Sequence, residues 1–99
     1  MKIVINNIEY KLVENNRECF DLDEVKEKLD DVDYFDNFDY ILGDYSYDKL
    51  RMKGFYKKGN KAANEINTYD KVKDYIENYC SYGCKYFVLE RIKENSNKN

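Results

Sequence analysis

The residues whose types and spacing could do chemistry fall into four groups: Asp44, the acidic run at 30–33, three cysteines, and the bases between 49 and 61. Asp44 ends the alternating series Phe38, Tyr40, Leu42, Asp44 on one face of a strand. An acid on an otherwise apolar face is where a functional carboxylate would sit. The competing reading is structural, because an inward Asp also serves by accepting hydrogen bonds or by capping a turn. The chain has no histidine. That removes the commonest general base and the commonest metal ligand, and with them Ser-His and Cys-His chemistry within the chain.

Cys80 and Cys84 are spaced C-x3-C around Gly83 rather than in the C-x2-C of redox motifs. With Cys19 they make an odd count, and zinc would need all three thiolates plus a further ligand. The expectation is no metal and no cofactor. The cysteines read as reduced, with Cys80 and Cys84 as structural packing around a sharp turn. Asp30-Asp31-Val32-Asp33 lacks the spacing and glycine of a calcium loop and reads as a solvated helix end.

The fourth group is the largest signal. Residues 18–48 hold twelve acids against Lys26 and Lys28, whereas residues 49–61 hold six bases and no acid. A chain of net charge −3 thus carries one compact basic segment. Lys49, Arg51, Lys53 and Phe55 alternate on one face of a strand. Tyr45 and Tyr47 lie near the preceding turn, and Lys57, Lys58 and Lys61 follow. Bases interleaved with aromatics suit an acidic partner, either RNA, through stacking and phosphate contacts, or protein. Two plainer readings compete. The lysines could simply keep a solvated strand from pairing at its edge, or the acidic helix at 21–32 could face them and neutralise them.

The elements that must position these residues follow from periodicity. Residues 3–14 alternate as a hairpin turned at Asn6-Asn7, since Asn tolerates the left-handed conformation of a tight turn. Residues 21–32 place Leu22, Val25, Leu29 and Val32 on one helical stripe, with Asp21 as N-cap and Glu24 in the capping-box position. Residues 38–56 form a second hairpin, with its turn at Tyr45-Ser46-Tyr47-Asp48. Alternation sets Arg51 on the face opposite Asp44. Residues 69–80 form a second helix capped by Thr68 and stopped at Gly83. Residues 84–92 form a strand with apolar residues on both faces, which marks it as central. Residues 93–99 read as a disordered tail.

Phe38 to Tyr56, FDYILGDYSYDKLRMKGFY, and Tyr79 to Leu89, YCSYGCKYFVL, resemble the YutD-like family, small proteins of low-GC Gram-positive bacteria. The shared marks are Gly43-Asp44, Leu50-Arg51, Lys53-Gly54-Phe55-Tyr56 and the Cys80, Gly83, Cys84 cluster. The resemblance implies a compact α+β fold and no particular reaction, substrate or cofactor.

The expectation is one α+β domain over residues 1–92: an antiparallel or mixed sheet of two hairpins plus a C-terminal strand, packed by two helices. No apolar run reaches a membrane span or a signal-peptide core, so the chain reads as cytoplasmic. Its expected role is a non-catalytic binding module that contacts an acidic protein or RNA through Tyr45, Tyr47, Lys49, Arg51, Lys53, Phe55, Lys57, Lys58 and Lys61. The alternative is a small enzyme with a site around Asp44.

Overall fold

The computed structural model describes residues 2–30, 32–79 and 84–92. Its strands are β1 (Lys2–Ile5), β2 (Ile8–Asn15), β3 (Tyr40–Ser46), β4 (Lys49–Phe55) and β5 (Tyr86–Arg91). They form one sheet in the order β1-β2-β5-β3-β4, with every neighbouring pair antiparallel. The helices are α1 (Leu22–Leu29) and α2 (Val72–Tyr79), the second entered through a 3-10 turn at Tyr69–Lys71. No helix among the described residues is long and apolar enough to cross a membrane.

Both hairpins close through two-residue turns whose backbones are left-handed. Asn6 and Asn7 have φ of 53° and 65°, and Tyr47 and Asp48 have φ of 52° and 63°. Two successive left-handed residues match the twist of the flanking strands. The second turn is therefore Tyr47-Asp48 alone, not the four residues expected from Tyr45. Tyr45 and Ser46 belong to β3, pairing with Leu50 and Lys49. That shortening sets the register of everything behind it.

The helices lie on opposite faces of the sheet. Val25 and Leu29 of α1 pack with Ile3, Ile5, Tyr10, Ile41, Leu50, Phe87 and Leu89. Val72 of α2 packs with Leu42, Phe55 and Val88, and Tyr75 and Ile76 lie against them. β5 is the central strand, and Phe87, Val88 and Leu89 are all fully buried. Gly43 makes room for this packing, since a Cβ there would stand 2.1 Å from Cζ of Phe87.

The ends of the helices differ from expectation for electrostatic reasons. α1 stops at Leu29 rather than continuing to 32. The acids at 30, 31 and 33 would sit at the negative end of the helix dipole. The side-chain amide of Asn6 instead donates to the carbonyls of Leu29 (2.9 Å) and Val32 (3.1 Å), so the first hairpin turn caps the helix. At the start of α1 the Asp21 carboxylate accepts from the Glu24 N–H at 3.1 Å. Thr68 makes no such side-chain bond to the turn before α2. Cys80, Gly83 and residues 93–99 lie outside the described residues.

Candidate functional site

Asp44 and Arg51 face each other. The two-residue turn puts Asp44 opposite Arg51 in the β3–β4 ladder, and directly opposed residues share a face. The expectation of opposite faces is thereby corrected: alternation orders each strand separately, and only the turn length relates the two. Asp44 is 2% exposed. Arg51 Nε donates to its Oδ1 at 3.2 Å and Arg51 Nη2 to its Oδ2 at 2.7 Å. This two-bond fork satisfies a carboxylate that burial would otherwise penalise. The hydrogen bond to Asp44 in turn raises the pKa of Arg51 above its ordinary value. A carboxylate clamped this way has both oxygens committed, which suits a structural tie better than a proton-transfer site.

The remaining expected site residues separate. Tyr45 lies on the α1 face, where its hydroxyl donates to Glu24 Oε1 at 2.6 Å. Burial first, and then this bond to a carboxylate, raise its pKa above the usual tyrosine range. Phe55 is fully buried beneath α2. Neither ring is open for stacking, so the basic-aromatic face expected from alternation is not one free surface. It lies on the α2 side of the sheet, and the acidic helix at 22–29 packs on the other side. Lys53 is half-buried, its Nζ 5.7 Å and 5.6 Å from the ring centres of Phe55 and Tyr75. At that range an ammonium is attracted to the ring faces. Lys57 Nζ lies 3.6 Å from Glu90 Oε2.

Lys49, Lys58 and Lys61 are exposed and form no salt bridge among the described residues. Lys58 helps to lower the Asp70 pKa, although the Thr68 side-chain bond is the larger cause. Tyr47, at the tip of the hairpin, is 98% exposed. Lys49 stands at one end of β4 and Lys58 and Lys61 beyond the other. The open cations therefore flank a strand about 20 Å long instead of clustering.

Between them lies a cleft of about 480 Å³ that runs along β4. Tyr34, Phe38 and Met52 line one side, Tyr75 and Lys53 the other, and Asn64, Ile66 and Asn67 close one end. The ring of Phe38 lies over Gly54, where a Cβ would meet it at 2.2 Å. Tyr34, Phe35, Phe38 and Tyr56 form a chain of ring contacts with centroids 4.8–5.9 Å apart. Tyr34 and Ile66 remain largely exposed at the rim. Sequence periodicity missed this cleft because its lining comes from two loops, a strand and a helix. The available signals were a glycine inside a strand, which marks a close approach, and a lone isoleucine in a polar loop.

Cys19 is a free thiol with a pKa raised mainly by burial. Cys84 is disulfide-bonded, which corrects the expectation of a reduced thiol there. No group of three or more metal-ligating side chains occurs among the described residues.

A family model described as "Putative antitoxin YutD-like" matches residues 4–90. The chain is 38% identical over 92 residues to "Putative antitoxin YutD" of Bacillus subtilis (strain 168), an alignment covering 93% of this chain and 99% of that protein. It is also similar to the solution NMR structure of protein yutD from B. subtilis. There the TM-score is 0.75 at 38% identity, over 94% of this chain and 83% of the other.

Proposed function

The chain belongs to the YutD-like family, and from that premise we propose that it is a non-catalytic binding module whose partner is an acidic protein. The observation that carries the reading is the set of open side chains along β4. Lys49, Lys58 and Lys61 point into solvent, Tyr47 projects from the hairpin tip, and Tyr34 and Ile66 stand exposed beside the cleft. Aromatic and apolar anchors ringed by charge are the composition of a protein-binding patch. The relatives are named putative antitoxins, and on the same reading the partner of this chain is a toxin protein with an acidic contact surface.

Protein is favoured over RNA for a geometric reason. Sheet modules that read single strands stack bases on exposed rings of the sheet face. Here Phe55 is buried under α2 and Tyr45 lies on the far side. The net charge of −3 also opposes general phosphate binding. The reading around Asp44 as an enzyme site has less support, because Arg51 holds both carboxylate oxygens.

The test reverses the three open lysines (Lys49→Glu, Lys58→Glu, Lys61→Glu) and leaves Arg51 in place. Immobilised chain should retain an acidic protein from a bacterial lysate after nuclease treatment, and the triple variant should lose it. At about 0.2–1 kcal/mol per exposed charge pair, reversing three charges weakens binding by roughly tenfold or more. Equal retention by the variant, or retention abolished by nuclease, rejects the reading.

A further inference from the structure

We propose that the partner adds an extended acidic-apolar segment along the outer edge of β4 as a sixth strand of the sheet. This deepens the binding reading above and rests on it. β4 is an outer strand. Ser46 and Lys49 flank a two-residue turn and so form a hydrogen-bonded pair of the ladder. By alternation Lys49, Arg51, Lys53 and Phe55 spend their backbone groups on β3. Leu50, Met52 and Gly54 turn theirs away from the sheet.

The next residue in that outward series is Tyr56, and the chain itself already docks there. Tyr56 N–H donates to the Asn67 carbonyl at 2.7 Å and Tyr69 N–H donates to the Tyr56 carbonyl at 2.9 Å, a parallel bridge between Tyr56 and Thr68. The edge thus accepts extended chain at one end, and the slot beside Gly54, Met52 and Leu50 continues it. The cleft lies along that slot. Asn64 and Asn67 hold the adjoining loop by mutual backbone-to-side-chain bonds of 2.6 Å and 3.0 Å, which fixes Ile66 at the rim.

Side chains on the two faces state what an added strand must carry. Residues opposite Met52 and Gly54 meet Tyr34 and Phe38, so they are apolar. A residue opposite Lys53 meets a cation, with Lys49 further along the same face, so it is acidic, whereas Arg51 is already neutralised by Asp44. Alternating acid and apolar residues satisfy both faces at once. The same charges argue against a second copy of this chain as occupant. Two β4 edges side by side would bring Lys49, Arg51 and Lys53 against their own counterparts, and lysines on an edge are a known guard against such self-pairing. An acid-bearing strand turns that guard into an attraction.

The probe is a capped heptapeptide of sequence EVEIEVE added to the full isotope-labelled chain. Two further forms are N-methylated, one at every glutamate and one at every apolar residue. Binding should slow amide exchange at Met52 and Gly54 by roughly tenfold or more, and one of the two N-methylated forms should bind at least about tenfold more weakly. Met52→Pro removes an outward N–H without breaking the β3 ladder, and it should weaken the unmodified peptide similarly. No binding at about 1 mM, or binding that both N-methylated forms retain, overturns strand addition. The outcomes separate from those of the lysine test. If lysine reversal releases the partner while the edge amides stay unprotected by peptide, the binding reading stands and strand addition falls. If lysine reversal changes nothing, the binding reading itself falls.

Discussion

Arg51→Ala should destabilise the protein far more than Asp44→Asn, although both remove the same ion pair. The asymmetry follows from exposure. The Asp44 side chain is 3% exposed and the Arg51 side chain 41%. Truncating Arg51 strands a buried carboxylate, for which a fully buried pair would cost about 3–5 kcal/mol. Water reaches the guanidinium side of this pair, so about 2–4 kcal/mol is the expected loss. Asp44→Asn leaves the arginine free to be solvated and keeps one acceptor oxygen, at about 1–2 kcal/mol. Arg51→Lys keeps the charge but not the fork and should fall between. For a domain of this size each kcal/mol lowers Tm by about 4–8 °C. Urea unfolding followed by far-UV circular dichroism and tyrosine fluorescence measures all three variants. If Asp44→Asn costs as much as Arg51→Ala, or if both lie within about 0.5 kcal/mol of the parent, the fork is a surface contact and the argument fails. The result also decides how binding experiments are built. Reversing Arg51 would set a second carboxylate against Asp44 and unfold the hairpin, which is why only Lys49, Lys58 and Lys61 are reversed in the functional test.

Gly43→Ala places a methyl 2.1 Å from the fully buried Phe87 ring and should cost about 1–3 kcal/mol, partly recovered by adding Phe87→Leu; urea midpoints of the three proteins test this. Asn6→Ala removes the cap on α1, where two carbonyls accept from its amide, and puts alanine in a left-handed turn position, so it should cost about 2–3 kcal/mol, whereas Asn6→Gly, which keeps the turn, isolates the cap at about 1 kcal/mol with faster amide exchange in the last turn of the helix. Burial, then the hydrogen bond to Glu14, push the Tyr69 pKa up to about 12. The folded state therefore holds this proton more tightly than the unfolded chain, whose tyrosine titrates near 10. The resulting stability is complete below pH 10 and is lost as pH rises toward about 12. Tyr69→Phe should make the fall in stability across that window shallower; an unchanged slope would remove Glu14 and burial as the cause.

Much of the fold was legible where a local rule had one solution. Asn6-Asn7 can satisfy two left-handed positions, so the first hairpin and its register follow from the turn. Phe87, Val88 and Leu89 in succession leave no polar face, which requires cover on both sides and puts β5 at the centre. Asp21 has one N–H to accept in the first helical turn. The third residue of that helix shows the limit. Glu24 occupies the capping-box position, yet its carboxylate takes the Tyr45 hydroxyl from a strand 21 residues away.

The candidate site was less legible because it depends on how elements combine. Tyr47-Asp48 carries no glycine or asparagine to announce a two-residue turn. Without that length, alternation alone could not say whether Asp44 meets Arg51 or avoids it. Nor does a strand pattern say which face a distant helix will cover. Lys49, Arg51, Lys53 and Phe55 read as one open row, but α2 closes over Phe55 and tethers Lys53 beside Tyr75, while the cations beyond the strand stay open. The surface that remains is therefore an edge bounded by charge, not a face studded with rings. An edge offers a partner a row of backbone donors and acceptors, and only its flanking side chains select which chain may use them. In this protein those flanking side chains are basic on the α2 side and aromatic on the α1 side. Specificity would accordingly reside in the alternation of the incoming segment, and a partner peptide of identical composition with its acids and apolar residues shuffled out of alternation should lose binding.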